Sequence, residues 1–236
     1  MTYDDADKVL FSADAFGKFG ALDVEEPWLS EARRYFIGIV GKYGVQVQAV
    51  LKKRPPRWTS RPSAACTVPS CTRSSWAMCW PPTTPGVPTA PETEGVLVAY
   101  SSIYGHTAEA ANRLAEALRE KGVETVAMDL ARCDMAEAVA QAFRFSKLVL
   151  ATPTYNADVF PFMKEFIHHL TERNYQNRTV AFIENGSWAP MAAKVMTKML
   201  EGSKNLTYAA TTVTVRGALN AASEAQLAAL ADELSR

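Results

Sequence analysis

From Gly95 onward, short apolar runs alternate five times with helical patterns in this chain of 236 residues. That alternation narrows the possible folds sharply. A strand followed by a crossover helix returns to its sheet in parallel, with a right-handed connection, and a strand covered on both faces reads as a continuous apolar run. Strands are predicted at residues 95–100, at Glu124–Asp129, Lys147–Thr152 and Thr179–Glu184, and within Tyr208–Val215. The first helix, near 107–121, places Ala111, Leu114, Ala115 and Leu118 on one face, pairs Glu109 with Arg113 and ends at Gly122. The second opens with an Asp134-x-x-Glu137 capping pattern and buries Val139, Ala142 and Phe143. The third starts at Pro161, with Met163, Phe166, Ile167 and Leu170 inward. The fourth starts at Pro190, with Ala192, Val195, Met196 and Met199 on one face. The fifth starts at a Ser223-x-x-Gln226 box and buries Leu227, Leu230, Ala231 and Leu234. Five such units predict an α/β fold with a doubly wound parallel sheet, and five strands with a phosphate-type turn after the first suit the order 2-1-3-4-5. Its ligand site lies at the carboxyl ends of strands one and three.

Three loops converge on that edge. Ser102, Ile103, Tyr104, Gly105, His106 and Thr107 carry hydroxyls, a glycine and serial backbone N–H groups into a helix start. This suits a phosphate held without Lys or Arg, and is equally the composition of an ordinary turn. It is neither a GxxxxGK[ST] nor a GxGxxG loop. Pro153, Thr154, Tyr155, Asn156 and Ala157 follow the third strand, and Glu184, Asn185, Gly186, Ser187 and Trp188 follow the fourth. Each sets an aromatic ring beside amide and hydroxyl groups, as a flat heteroaromatic ligand requires; folding back onto the core is the bland alternative for Tyr155 and Trp188. His106 reads as a turn residue, and His168 and His169 as surface residues of the third helix. No Ser-His-Asp or Cys-His pattern supports a hydrolase.

The first ninety residues read differently. Lys8–Ser12 is a predicted strand with no evident partner, followed by a turn at Asp14-Ala15-Phe16-Gly17. A helix from Pro27 places Ala32, Tyr35, Phe36, Ile39 and Tyr43 on one face and ends at Gly44; a second short helix spans Gln46–Lys53 with Val47, Val50 and Leu51 together. These apolar faces need a surface to pack on, and an exposed apolar face is expected here. Residues 55–91 hold 9 of the 13 prolines, 3 of the 5 tryptophans and 3 of the 4 cysteines, with no Asp or Glu, and show neither helical nor strand period. Three readings stand: a proline-rich linker, a functional segment, or a reading-frame error. GC-rich codons for this stretch, read one base over, can spell an LHGP motif.

Charge excludes other classes. The 25 basic and 25 acidic residues cancel, which gives no support for nucleic acid or an anionic membrane as partner. No apolar run is long enough to span a bilayer, and the polar, acidic start MTYDDADK is not a signal peptide, so a cytoplasmic location is expected. Cys66, Cys71, Cys79 and Cys133 form no CxxC pair, so zinc is not expected.

Taken together, LFSADAFGKFGAL, EARRYF…GKYG, SSIYGHTAEAA, TPTYNA and ENGSWAP resemble the flavodiiron proteins, over residues 1–54 and about 90–236. Those proteins join a metallo-β-lactamase-like diiron domain to a flavodoxin-like domain that binds FMN, and reduce oxygen or nitric oxide. The resemblance implies three regions. Residues 1–54 would be a remnant of the αββα metallo-β-lactamase-like domain, 55–91 an anomalous segment, and 92–236 the flavodoxin-like FMN domain. It implies that Ser102, Ile103, Tyr104, Gly105, His106 and Thr107 form the FMN phosphate loop. Pro153 to Ala157 and Glu184 to Trp188 would flank the isoalloxazine, with Trp188 near the ring. It implies rubredoxin or a flavin reductase as electron donor and a homodimer as assembly. Asp14 matches the family's metal-bridging aspartate, but the His-x-Glu-x-Asp ligands would lie upstream of it and the last His ligand in an LHGP motif, where this chain has residues 55–91 and no histidine. One carboxylate cannot build a two-metal site. The expectation is therefore a truncated flavodiiron protein that binds FMN and passes electrons, its oxygen or nitric oxide reduction lost. A stand-alone electron carrier with an unstructured leader, and a non-functional gene product, are the competing readings.

Overall fold

A computed structural model of the protein describes residues 90–236 without a break and, before them, residues 2–4, 6, 9–13, 20, 24, 27–44, 46, 49 and 63–65. The chain divides into two compact units, Met1–Pro88 and Thr89–Arg236. Asp14 and its turn, Val47, Val50, Leu51, Cys66, Cys71 and Cys79 lie outside the described residues.

In the first unit, β1 (Thr2–Asp4) runs antiparallel to β2 (Val9–Ala13), which pairs in parallel with β3 (Ser63–Ala65). The strand expected at Lys8–Ser12 is thus present one residue later and has two neighbours, one of them drawn from the 55–91 stretch that shows no period. Ladder hydrogen bonds need only backbone amides, so a three-residue pairing leaves no trace in the apolar pattern. Helix α1 (Trp28–Tyr35) continues through a π turn at Phe36–Val40 and a 3-10 turn at Gly41–Tyr43. The face predicted from Ala32 to Tyr43 assumes an unbroken 3.6-residue period. A π turn adds a residue to the turn and shifts everything after it. Tyr35 and Ile37 are buried, whereas Ile39 and Tyr43 are exposed. Gly44 does not end the helix: its backbone stays right-handed helical at φ −53° and ψ −36°.

The second unit is built on a parallel sheet. Its strands are β4 (Thr93–Tyr100), β5 (Thr125–Asp129), β6 (Phe145–Tyr155), β8 (Thr179–Asn185) and β10 (Val213–Val215). Their spatial order is β10-β8-β6-β4-β5, which in order of appearance is 2-1-3-4-5, as the sequence predicts. Helix α2 (His106–Glu120) packs with α6 (Ala221–Leu234), while α3 (Met135–Arg144), α4 (Pro161–Glu172) and α5 (Ala192–Met199) pack in series. Strand alternation divides the core accordingly. Val96, Val98, Val149, Ala151, Ala181 and Ile183 meet Leu114, Leu118, Leu227 and Leu230 of α2 and α6. The intervening Leu97, Leu148, Leu150 and Val180 face the other layer and are equally buried.

Local chemistry sets the element ends. Helix α2 closes in a Schellman arrangement: Gly122 at φ +78° donates to the Arg119 carbonyl, and Val123 to that of Leu118. Asp134 caps α3 by accepting the Ala136 N–H at 2.8 Å, but Glu137 does not complete the box; it accepts from Gln141 instead. Helix α6 begins earlier than expected. Asn220 is its N-cap, accepting the N–H groups of Ala222 and Ser223, while the Ser223 hydroxyl accepts the Asn220 N–H. Ser223 is thus the far half of the box rather than the cap. Helix α5 starts at Ala192, two residues past Pro190. Buried Arg178 reaches the carbonyls of Phe143, Phe145, Gln176 and Asn177, tying the end of α3 to the start of β8. Beside it, Tyr175 is fully buried, and burial pushes its phenol far above the ordinary value.

The fifth strand is broken. Strand β9 (Thr207–Tyr208) pairs with β8 at Thr179 and Val180, and β10 pairs with its far end at Ile183–Asn185. Side chains of α6 take the amides left over: Glu233 accepts the N–H groups of Ala210 at 2.6 Å and Thr211 at 3.1 Å, and Gln226 accepts that of Thr214 at 3.0 Å.

Candidate functional site

The carboxyl ends of β4, β6 and β8 carry the three loops singled out in the sequence, and side-chain hydrogen bonds tie them together. At the base, the buried hydroxyls of Ser101 and Thr152 are 2.9 Å apart and join β4 to β6. The Thr154 hydroxyl accepts the Met191 N–H at 3.0 Å and joins the β6 loop to the β8 loop. The Asn185 side chain donates to the Thr107 hydroxyl at 3.3 Å and joins the β8 loop to α2. These three links bring together all three predicted loops.

The first loop turns on Gly105, whose φ of +92° is disfavoured for any residue with a Cβ. Ser102 accepts the Gly105 N–H at 3.1 Å. Among the described residues, no protein acceptor takes the amide hydrogens of Ile103, Tyr104, His106 or Thr107. Such amides at a helix N-terminus, aided by the helix dipole, form a receptor for an anion. His106 is the first residue of α2 and is exposed; Thr107 is 2% exposed. No Lys or Arg stands in residues 101–108, 153–157 or 184–191, so backbone and hydroxyl groups are the donors on offer.

The second loop is not a loop. Strand β6 runs on to Tyr155, turns at Asn156 (φ +49°) and Ala157 (φ +57°), and returns antiparallel as β7 (Asp158–Val159). Two successive left-handed residues make a type I′ hairpin turn, strained at Ala157 because its methyl group disfavours that region. Tyr155 stands out from this hairpin, 41% exposed, edge-on to Phe160 with centroids 5.4 Å apart. Behind the hairpin a cleft of about 660 Å³ is lined by Asp158, Val159, Lys164, His168 and Met199. Lys164 bonds the Asp158 carboxylate, which holds that carboxyl below its ordinary value.

In the third loop the polar residues divide. Glu184 and Asn185 are buried and turn into the fold. The Glu184 carboxylate accepts the Ala193 N–H at 3.1 Å, at the start of α5, and the Thr214 hydroxyl at 3.0 Å. Asn185 engages Thr107 and both backbone groups of Gly217. Gly186 donates to the Val215 carbonyl, and Ser187 and Trp188 are exposed. Trp188 at 92% and Tyr104 at 87% offer almost their whole surface to solvent. The 216–218 segment escaped the sequence reading; Gly217, two positions past the last strand, was its signal. His168 and His169 lie on α4, where both approach the Glu172 carboxylate. Cys133 is half-buried, and burial raises its thiol. Among the described residues no group of three His, Cys, Asp or Glu is placed to hold a metal, and no helix is long and apolar enough to cross a membrane.

The family model for the flavodoxin domain matches residues 97–223. A curated relative, the rubredoxin-oxygen oxidoreductase of Megalodesulfovibrio gigas, is 23% identical over 144 residues, which are 61% of this chain and 36% of that protein. Among solved structures, the flavodiiron protein of Giardia intestinalis superposes with a TM-score of 0.85 at 19% identity, over 98% of this chain and 59% of that one. A flavodoxin from the domain Archaea superposes with a TM-score of 0.53 at 14% identity, over 61% of this chain and 96% of its own. This chain therefore spans about a third of the curated relative and well under two thirds of the flavodiiron structure.

Proposed function

This chain belongs to the flavodoxin-domain family, and on that premise we propose that residues 92–236 bind FMN and pass electrons. The observation that carries the reading is the pairing, at one sheet edge, of amides in 103–107 that no described residue accepts with two almost fully exposed aromatic side chains. A phosphate and a flat ring on one ligand satisfy both. Ser102, Ile103, Tyr104, Gly105, His106 and Thr107 would hold the phosphate, through amides and the Thr107 hydroxyl. Pro153, Thr154, Tyr155, Asn156 and Ala157, with Gly186, Ser187 and Trp188, would border the ring. Glu184 and Asn185 belong to this border through their backbone, because their side chains are engaged elsewhere. The group itself supplies one- and two-electron chemistry. The chain's part is to anchor it without a cation and to leave one aromatic-lined side open to a partner.

Oxygen reduction, the activity in the name of the M. gigas relative, does not extend to this reading. A diiron centre needs several His and carboxylate ligands. All three histidines lie at 106, 168 and 169, residues 1–91 contain none, and Asp14 is the single residue that the family resemblance offers. The donor set does not fit two irons. Rubredoxin, named with that relative, is the electron donor we propose. The test is the visible absorbance of the purified full chain before and after incubation with FMN, with metal analysis beside it. A flavin spectrum that survives gel filtration and an iron content near zero are expected. No bound flavin and no uptake overturn the FMN reading and favour a gene product without this function. Stoichiometric iron overturns the metal reading.

A further inference from the structure

Resting on the FMN reading, we propose that Asn185 is a positioning residue that makes Thr107 a hydrogen-bond donor to the phosphate and so sets the preference for a phosphorylated over an unphosphorylated flavin. Asn185 is held at both ends of its side-chain amide. The Asn185 Oδ1 accepts the Gly217 N–H at 3.1 Å, and its Nδ2 donates to the Gly217 carbonyl at 3.0 Å. A backbone N–H needs an acceptor and a carbonyl needs a donor, so this reciprocal pair fixes which way the amide faces. The atom presented to Thr107 is then the nitrogen, 3.3 Å from the hydroxyl oxygen. An amide nitrogen donates and cannot accept. The Thr107 hydroxyl must receive that bond on a lone pair, which keeps its own hydrogen off Asn185.

That hydrogen has no other taker. Among the described residues no carbonyl or carboxylate accepts it, although Thr107 is 2% exposed and sits in the first turn of α2. A buried hydroxyl with an unspent hydrogen, beside amides that also have no acceptor, is completed by an anion placed at the helix start. The Asn185 side chain is spent on Gly217 and Thr107, so it acts on the phosphate through Thr107. Gly217, held at φ +86°, locks the amide in turn, so the β10–α6 connection takes part in the orientation.

The prediction is a ratio. Riboflavin shares the ring of FMN and lacks its phosphate, so a contact made to the phosphate changes FMN affinity alone. In the full chain, Thr107→Val should lower FMN affinity about ten- to a hundredfold and leave riboflavin affinity unchanged. Asn185→Ala should lower the FMN-to-riboflavin ratio in the same sense, and the double variant should lower it no further than Thr107→Val alone. The phosphorus NMR resonance of bound FMN should shift in both single variants. Asn185→Leu, which keeps the bulk of the side chain and removes its donor and acceptor, serves if Asn185→Ala does not fold, and the ratio should fall in the same sense. Equal losses for both flavins would mark Asn185 as merely structural and overturn the inference while leaving FMN binding intact. An unchanged ratio, or effects that multiply in the double variant, would overturn it as well. A wild-type chain that binds neither flavin sinks the FMN reading, and this inference with it.

Discussion

A methyl group at residue 95 would come within 2.6 Å of the Glu124 carbonyl oxygen and 2.8 Å of the Phe145 ring. Neither neighbour can retreat: one is backbone that accepts the Val96 N–H, and the other is a fully buried ring under the Arg144 guanidinium. Gly95→Ala should therefore destabilise the second unit by about 1–3 kcal/mol, seen as a lower thermal unfolding midpoint, even though alanine favours a strand interior over glycine. The same residue scale shows what the sequence conceals. Glu184 and Asn185 stand at the end of a buried strand, in a loop rich in polar and aromatic residues, and a ligand-facing role reads naturally from that position. The structure turns both side chains inward, because α5 and the 216–218 segment present unpaired N–H groups there. A one-dimensional pattern cannot tell a carboxylate that greets a ligand from one that caps a neighbouring helix. Arg178 escaped for a related reason: among the described residues the carbonyls it reaches are those of Phe143 and Phe145, more than thirty positions away, and of its neighbours Gln176 and Asn177.

Elements with their own stop signals were the most legible. Pro161, Gly122 and the Asp134 cap all stand where the helices begin or end. The hairpin at 155–158 was hidden because a type I′ turn normally advertises itself with glycine, and here Ala157 occupies the second left-handed position. The π turn after α1 was hidden because a period must be assumed before a face can be drawn. Among the elements, α6 has a measurable electrostatic role. Partial burial pushes the Glu233 carboxyl up, but the N–H groups of Ala210 and Thr211, the Thr211 hydroxyl and the Arg236 charge outweigh it and leave the group below its ordinary value of 4.5. A depressed carboxyl contributes stability that is present above the unfolded value and is lost as pH falls through the folded one. Denaturant unfolding followed from neutral pH downward should show stability declining below about pH 4.5, and Glu233→Gln should flatten that decline. An identical slope in the variant would show that the carboxylate does not anchor the broken strand.

At the scale of the molecule, the alternation of strand and helix after Gly95 specified a doubly wound parallel sheet, and the phosphate-type turn after its first strand suited the order 2-1-3-4-5 among the few windings left. No such alternation runs through the sequence of residues 1–88, where the described strand pairings are β1 with β2 and β2 with β3. The archaeal flavodoxin matched over 96% of its own length shows that a fold of this kind can be a whole chain. Residues 89–236, expressed alone, should therefore unfold cooperatively and take up FMN with an affinity within a few-fold of the full chain. A fragment that is unfolded, or that binds FMN far more weakly, would show that the first unit supports the second.

The broken fifth strand also has a history in time. Gln226 and Glu233, which cover its loose amides, come later in the chain than β10 itself, Glu233 by 18 positions. The edge is therefore finished only when α6 docks on it. Until then it is a pairing template for whatever lies beside it, a second copy of the same segment included. Loss of α6 would open a sheet edge as well as remove a helix.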